Sequence, residues 1–84
     1  MARTPLVAGN WKMNKTTSEA LRLVEELLPG MQAVSGVEIL VCPPSPSLMA
    51  LSALLDKTGI ALGAQNLYWE SEGAFTGELS PAMV

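Results

Sequence analysis

Pro5-Leu6-Val7-Ala8-Gly9-Asn10, an apolar run between a proline and an amide, is followed at once by Trp11-Lys12-Met13-Asn14. A short continuous apolar run with turn-forming bounds is the pattern of a strand buried on both faces, as in a parallel sheet. The polar residues that end it permit two readings: a strand turning outward into solvent, or a strand delivering an amide and an ammonium to a site. If the backbone stays extended through Trp11, the side chains of Asn10 and Lys12 project to one side and Trp11 to the other. In parallel α/β folds ligands bind at the carboxyl ends of strands, where a lysine suits a phosphate or a developing oxyanion.

Outward from this strand the period changes. Thr16-Thr17-Ser18-Glu19 has the form of a capping box, in which Thr16 takes the N–H of Glu19 and the Glu19 carboxylate takes that of Thr16. Leu21, Val24, Leu27, Leu28 and Met31 then recur at helical steps opposite Arg22, Glu25 and Glu26. Pro29-Gly30 is expected to end or kink this helix. Val37–Val41 reads as a second strand, stopped by the prolines at 43, 44 and 46. Ser45 and Pro46 suit the cap and first position of a second helix, with Leu48, Leu51, Leu54 and Leu55 as its buried stripe and a close near Gly59. Ile60–Gln65 reads as a third strand whose small residues permit close approach. Residues 66–84 form a long loop with at most a helical turn at the end.

Strand, helix, strand, helix, strand is the order of two βαβ crossovers and a parallel sheet. Both sheet edges would be unpaired, so the 84 residues look like the opening part of a larger α/β fold rather than a free-standing domain. A second domain is excluded, because at this length only about 60% of the unfolded chain's surface can be hidden. The expected fate of the segment alone is aggregation, loose collapse or pairing.

Composition narrows function further. A net charge of −3 without a basic cluster disfavours nucleic acid and anionic membranes as partners. No apolar run reaches the length of a membrane span, and a lone cysteine forms no internal disulfide, so a cytoplasmic location is the default expectation. Histidine is absent, which removes the commonest general acid/base and the commonest metal ligand. Cys42 reads as an inert packed thiol with no base in sight. Neither GxGxxG nor GxxxxGK[ST] occurs. Gln65 and Asn66, ending the third strand, are either a plain turn or hydrogen-bonding support for the first strand's site. In Gly73-Ala74-Phe75-Thr76-Gly77-Glu78, the phenylalanine is either tucked within its own loop or an anchor for a second chain.

Four stretches carry a resemblance in register: "AGNWKMN" after the first strand, "VCPP" after the second, "GAQN" at the end of the third and "GAFTGELSPAM" in the loop beyond. Together they are similar to the triosephosphate isomerase family. The resemblance implies a (β/α)₈ barrel of roughly 250 residues, of which this chain would supply the first three strands, the two helices between them and the third loop. It implies interconversion of dihydroxyacetone phosphate and glyceraldehyde 3-phosphate through an enediolate, in glycolysis and gluconeogenesis, with no metal or organic cofactor.

On that resemblance Lys12 is the electrostatic catalyst facing the anionic substrate, and Asn10 helps hold the substrate's oxygens. Thr76 is the residue of the third loop that enters a neighbouring subunit and hydrogen-bonds the partner's asparagine equivalent to Asn10. Phe75, Gly77 and Glu78 share that loop, Met13 lies where a partner's loop closes, and Gln65 supports site and interface, so a homodimer is expected. The family's histidine, carboxylate base and phosphate-binding amides follow later strands and lie outside residues 1–84. A lysine and an asparagine stabilise charge but do not move a carbon-bound proton without a base, so the segment alone is expected to be inactive. Two other readings remain: a noncatalytic module associating through loop 73–78, and an unrelated small phosphate-binding α/β domain.

Overall fold

The computed structural model describes residues 3–84. Its elements are strand β1 (Leu6–Asn10), helix α1 (Thr17–Gln32), strand β2 (Glu38–Cys42), a 3₁₀ turn (Ser45–Ser47), helix α2 (Leu48–Leu55) and strand β3 (Ala61–Leu62). The three strands form one parallel sheet in the order β1-β2-β3. Leu6 pairs with Glu38 and Asn10 with Cys42, so β1 and β2 end at the same level. The Trp11 N–H continues their ladder by donating to the Cys42 carbonyl at 3.1 Å.

Helix α1 starts as its capping box requires. The Glu19 N–H donates to Thr16 Oγ1 at 3.3 Å, and the Thr16 N–H donates to Glu19 Oε1 at 3.0 Å. The Thr16 N–H bond is the main reason the Glu19 carboxyl lies below its ordinary pKa. The helix does not end at Pro29-Gly30 but runs to Gln32. Proline withholds one N–H donor, yet its own carbonyl still accepts from Ala33 at 3.2 Å, so one more turn closes. Ser45 does not cap the second helix. A 3₁₀ turn intervenes, and Ser47, buried, directs its hydroxyl to Thr17 Oγ1 at 3.4 Å, joining the starts of the two helices.

The core lies where the helices meet β2: Ala20 and Val24 of α1, Val41 of β2, and Leu51 and Leu55 of α2, with Trp11, Leu28, Ile60 and Leu62 packed around them. Full burial of Leu51 and Val24 stabilises the fold by about 1.5–3 kcal/mol each. Ala20 belongs to the buried stripe although its size gives little signal, whereas Leu27 is exposed.

Strand β1 departs from its expected burial, because all five of its residues are exposed, Leu6 at 56% and Val7 at 59%. It has a neighbour on one side only, and neither helix lies against it closely. Strand β3 is shorter than Ile60–Gln65, but the Gly63 N–H extends its pairing to Val41 O at 2.9 Å. A small residue fits closely there: a Cβ at 63 would stand 3.2 Å from Cys42 Sγ and 3.3 Å from Leu40 Cδ1, so those side chains would have to give by a few tenths of an ångström. Between α2 and the last residues runs an open groove of about 830 Å³ lined by Leu48, Met49, Leu62, Leu79 and Met83; it contains none of the candidate site residues. Among the described residues no helix is long and apolar enough to cross a membrane.

Candidate functional site

The carboxyl ends of β1, β2 and β3 converge on the turn at Lys12. The ladder runs on through the Trp11 N–H, and the backbone leaves the extended form at Lys12. Lys12 takes φ +55°, and Lys15 follows at +76°. The left-handed region costs a residue with a Cβ about 1–2 kcal/mol, so the surroundings must hold it.

They do so through side chains. Asn10 Oδ1 accepts the Lys12 N–H at 2.9 Å, a bond of the Asx-turn kind that bends the chain out of the strand. Asn14 Nδ2 donates to the Trp11 carbonyl at 2.7 Å. Gln65, just beyond β3, donates from Nε2 to Lys12 O at 2.9 Å and to Cys42 O at 2.8 Å. The sequence brings Asn10, Lys12 and Gln65 to one place, and the structure joins all three. Asn10's role here is toward the Lys12 backbone, which the periodicity did not suggest; the signal available was the preference of asparagine for such turns.

Met13, at 95%, is almost wholly exposed. Asn66 turns away from this cluster and donates to Glu78 Oε2 at 3.1 Å, and the Tyr68 N–H donates to Leu79 O at 2.8 Å, so the long loop closes on itself. Within it Tyr68 stacks on Trp69 at 4.2 Å between centroids and meets Phe75 at 4.3 Å. Phe75, which the sequence leaves without a core, therefore has one in its own loop while staying 43% exposed. Thr76 and Gly77 form the tip of a turn closed by the Glu78 N–H on Phe75 O at 3.1 Å, and Gly77 takes the positive φ of +87° that such a turn demands. Cys42 is a free, half-buried thiol whose sulfur faces Gly63. No group of three or more metal-ligating side chains is assembled among the described residues.

Residues 5–84 match the family model described as triosephosphate isomerase. The chain belongs to the triosephosphate isomerase family. The triosephosphate isomerase of Carboxydothermus hydrogenoformans is 55% identical over 82 residues, covering 98% of this chain and 33% of that protein. The Roseiflexus sp. triosephosphate isomerase is 57% identical over 82 residues, again 98% of this chain and 32% of its own. The crystal structure of triosephosphate isomerase from Bartonella henselae superposes with a TM-score of 0.87 at 34% identity, over 96% of this chain and 33% of that one. The chain thus spans about a third of the length of the triosephosphate isomerases it matches, and its parallel β1-β2-β3 sheet is the opening portion of their barrel.

Proposed function

We propose that these residues are the amino-terminal part of a barrel that interconverts dihydroxyacetone phosphate and glyceraldehyde 3-phosphate through an enediolate. Family membership supports the reaction, and the observation that carries the site is the Lys12 turn, held in the left-handed region at the carboxyl ends of three parallel strands. The Lys12 ammonium faces the substrate's negative charge and stabilises the enediolate oxygen as that charge develops. Asn10 both shapes the turn and offers its amide to the substrate's oxygens. No histidine is present in residues 1–84, and the proton transfers fall to groups on the rest of the barrel, so this segment alone does not turn over. The reaction needs no cofactor, since a positioned carboxylate base and fixed positive charge suffice for an enediolate.

Loop 73–78 is the homodimer loop in this reading. Phe75, Thr76, Gly77 and Glu78 enter a second subunit, and Met13, exposed on one chain, is covered by the partner's loop.

The test joins residues 1–84 to the part of the Carboxydothermus relative that they do not match. The joined barrel is expected to isomerise glyceraldehyde 3-phosphate, while Lys12→Ala lowers kcat by roughly 10²–10³ without lowering the melting temperature. Full turnover in Lys12→Ala overturns the assignment. A joined barrel that only self-associates, with association abolished by Thr76→Glu, favours a noncatalytic interaction module instead.

A further inference from the structure

The charge of this chain is divided by segment. Residues 1–65 balance, so the whole net charge of −3 sits in residues 66–84, as Glu70, Glu72 and Glu78 without a lysine or arginine among them. Ahead of Glu19 the charged residues are Arg3, Lys12 and Lys15, all positive. Lys12 has a task in the chemistry above; Lys15 has none. It stands exposed at φ +76°, a conformation that glycine adopts freely and that a residue with a Cβ adopts at a cost. The first carboxylate after it, Glu19, already takes the Thr16 N–H at 3.0 Å, and that bond, more than Lys15, is what holds the carboxyl low. An exposed cation is thus displayed on a tight turn. The acidic segment offers a socket of matching size. Tyr68, Glu70, Glu72, Phe75, Glu78 and Leu79 are among the residues lining a hollow of about 30 Å³, room for a water-sized group such as an ammonium head. The rings of Tyr68 and Phe75, 4.3 Å apart, give it an aromatic wall. Glu78 is engaged by Asn66, which leaves the exposed Glu70 and Glu72 as its open carboxylates.

We propose that this hollow receives the Lys15 ammonium of a second copy of the chain, between Glu70 and Glu72 and against the aromatic wall, a contact that rests on the loop 73–78 interface proposed above and adds to it. None of Lys15, Tyr68, Glu70 and Glu72 belongs to the tip of that loop. The place is set by continuity. Lys15 follows closely on Met13, which the partner's loop covers in that reading, and the hollow is built from the base of the same loop, so the two features meet where the copies already touch. The charges require it as well. A dimer brings two acidic segments to one interface, where like charges repel unless cations are set among them. Under a two-fold axis each copy gives one lysine and one hollow, and the contact forms twice.

The experiment measures exchange of subunits between differently labelled dimers of the joined barrel described above, because interface substitutions act mostly on dissociation. Lys15→Gln is expected to speed exchange roughly tenfold to thirtyfold, since two partly exposed contacts are lost per dimer. Glu70→Gln with Glu72→Gln should do the same, and adding Lys15→Gln to that pair should change the rate by less than about twofold. Added salt should speed exchange of the unaltered dimer and affect Lys15→Gln less. Lys15→Gly is the second variant: it relieves the left-handed backbone, yet must also speed exchange. Unchanged exchange in Lys15→Gln overturns the proposal and leaves the hollow to solvent or a small free cation. Equal acceleration by Lys15→Gln with and without the two glutamates overturns it too, by tying Lys15 to another partner. A joined barrel that is monomeric, or a dimer untouched by Thr76→Glu, overturns the interface reading itself; a dimer lost in Thr76→Glu beside unchanged exchange in Lys15→Gln overturns only the lysine contact.

Discussion

Two segments of this chain break the apolar pattern with polar groups, and they are held in opposite ways. The turn at Lys12 is shaped by partners from other strands, with Gln65 reaching across 53 residues of sequence to its carbonyl. The loop beyond β3 is shaped by itself: Asn66 bonds Glu78 only 12 residues on, and Tyr68, Trp69 and Phe75 make its small aromatic core. The difference teaches that the geometry at Lys12 belongs to the assembled sheet, whereas the loop carries its own. Damage to the sheet should reach the turn and spare the loop, and damage to the loop should do the reverse.

The largest break comes from the core. Leu51→Ala in the joined barrel is expected to cost about 2–5 kcal/mol in denaturant unfolding, since Leu51 is fully buried in the cluster with Ala20, Val24, Val41 and Leu55. Hydrogen exchange should quicken at the Lys12 N–H while the Tyr68 N–H, bonded to Leu79, keeps its protection. Equal quickening at both sites would erase the contrast. Gly63→Val is expected to cost about 1–3 kcal/mol, because its new carbons meet Cys42 Sγ and Leu40 with no room to spare. By pushing β3 from β2 it should also weaken the Gln65 bond to Cys42 O.

The complementary test is Gly73→Ala. Gly73 has φ +150°, and a Cβ there would lie 2.6 Å from Phe75 Cε2, so the aromatic trio must shift, at about 1 kcal/mol or a little more. Trp69 fluorescence should change while the Lys12 N–H exchanges as before. The smallest effect concerns the cap of α1, just beyond the Lys12 turn. Glu19 has a folded pKa below its ordinary 4.5, so its stabilising contribution is complete above that value. It fades as pH falls below 4.5 and through the folded pKa. Glu19→Gln should flatten the acid limb of the stability curve over that interval and leave neutral pH nearly untouched.

Much of this arrangement was legible in the residues. The alternation of short apolar runs and helically spaced segments, the Thr16–Glu19 box and the leucine spacing of α2 placed the strands and helices in order, because each is a local signal. Fine geometry was not legible where long-range partners decide it. Nothing near Lys12 announces a positive φ; it follows from Asn10 beside it and Gln65 far away. Ser45 looked like a cap by residue type, yet Ser47 found Thr17 across the helix junction and the 3₁₀ turn formed instead. The burial promised by Leu6 and Val7 is not met, because β1 is the edge strand of the described sheet, paired with β2 alone and covered closely by neither helix.

The span of the Gln65 bond carries a kinetic consequence. Closing a contact between residues 12 and 65 requires both crossovers to have formed, whereas the stem at Asn66 and Glu78 closes over a short segment at much smaller entropic cost. During folding the loop is therefore free to take shape early, and the Lys12 turn is among the last features to be set. A slowed or stalled chain would present a finished loop on an unfinished strand end, with its lysine still unplaced.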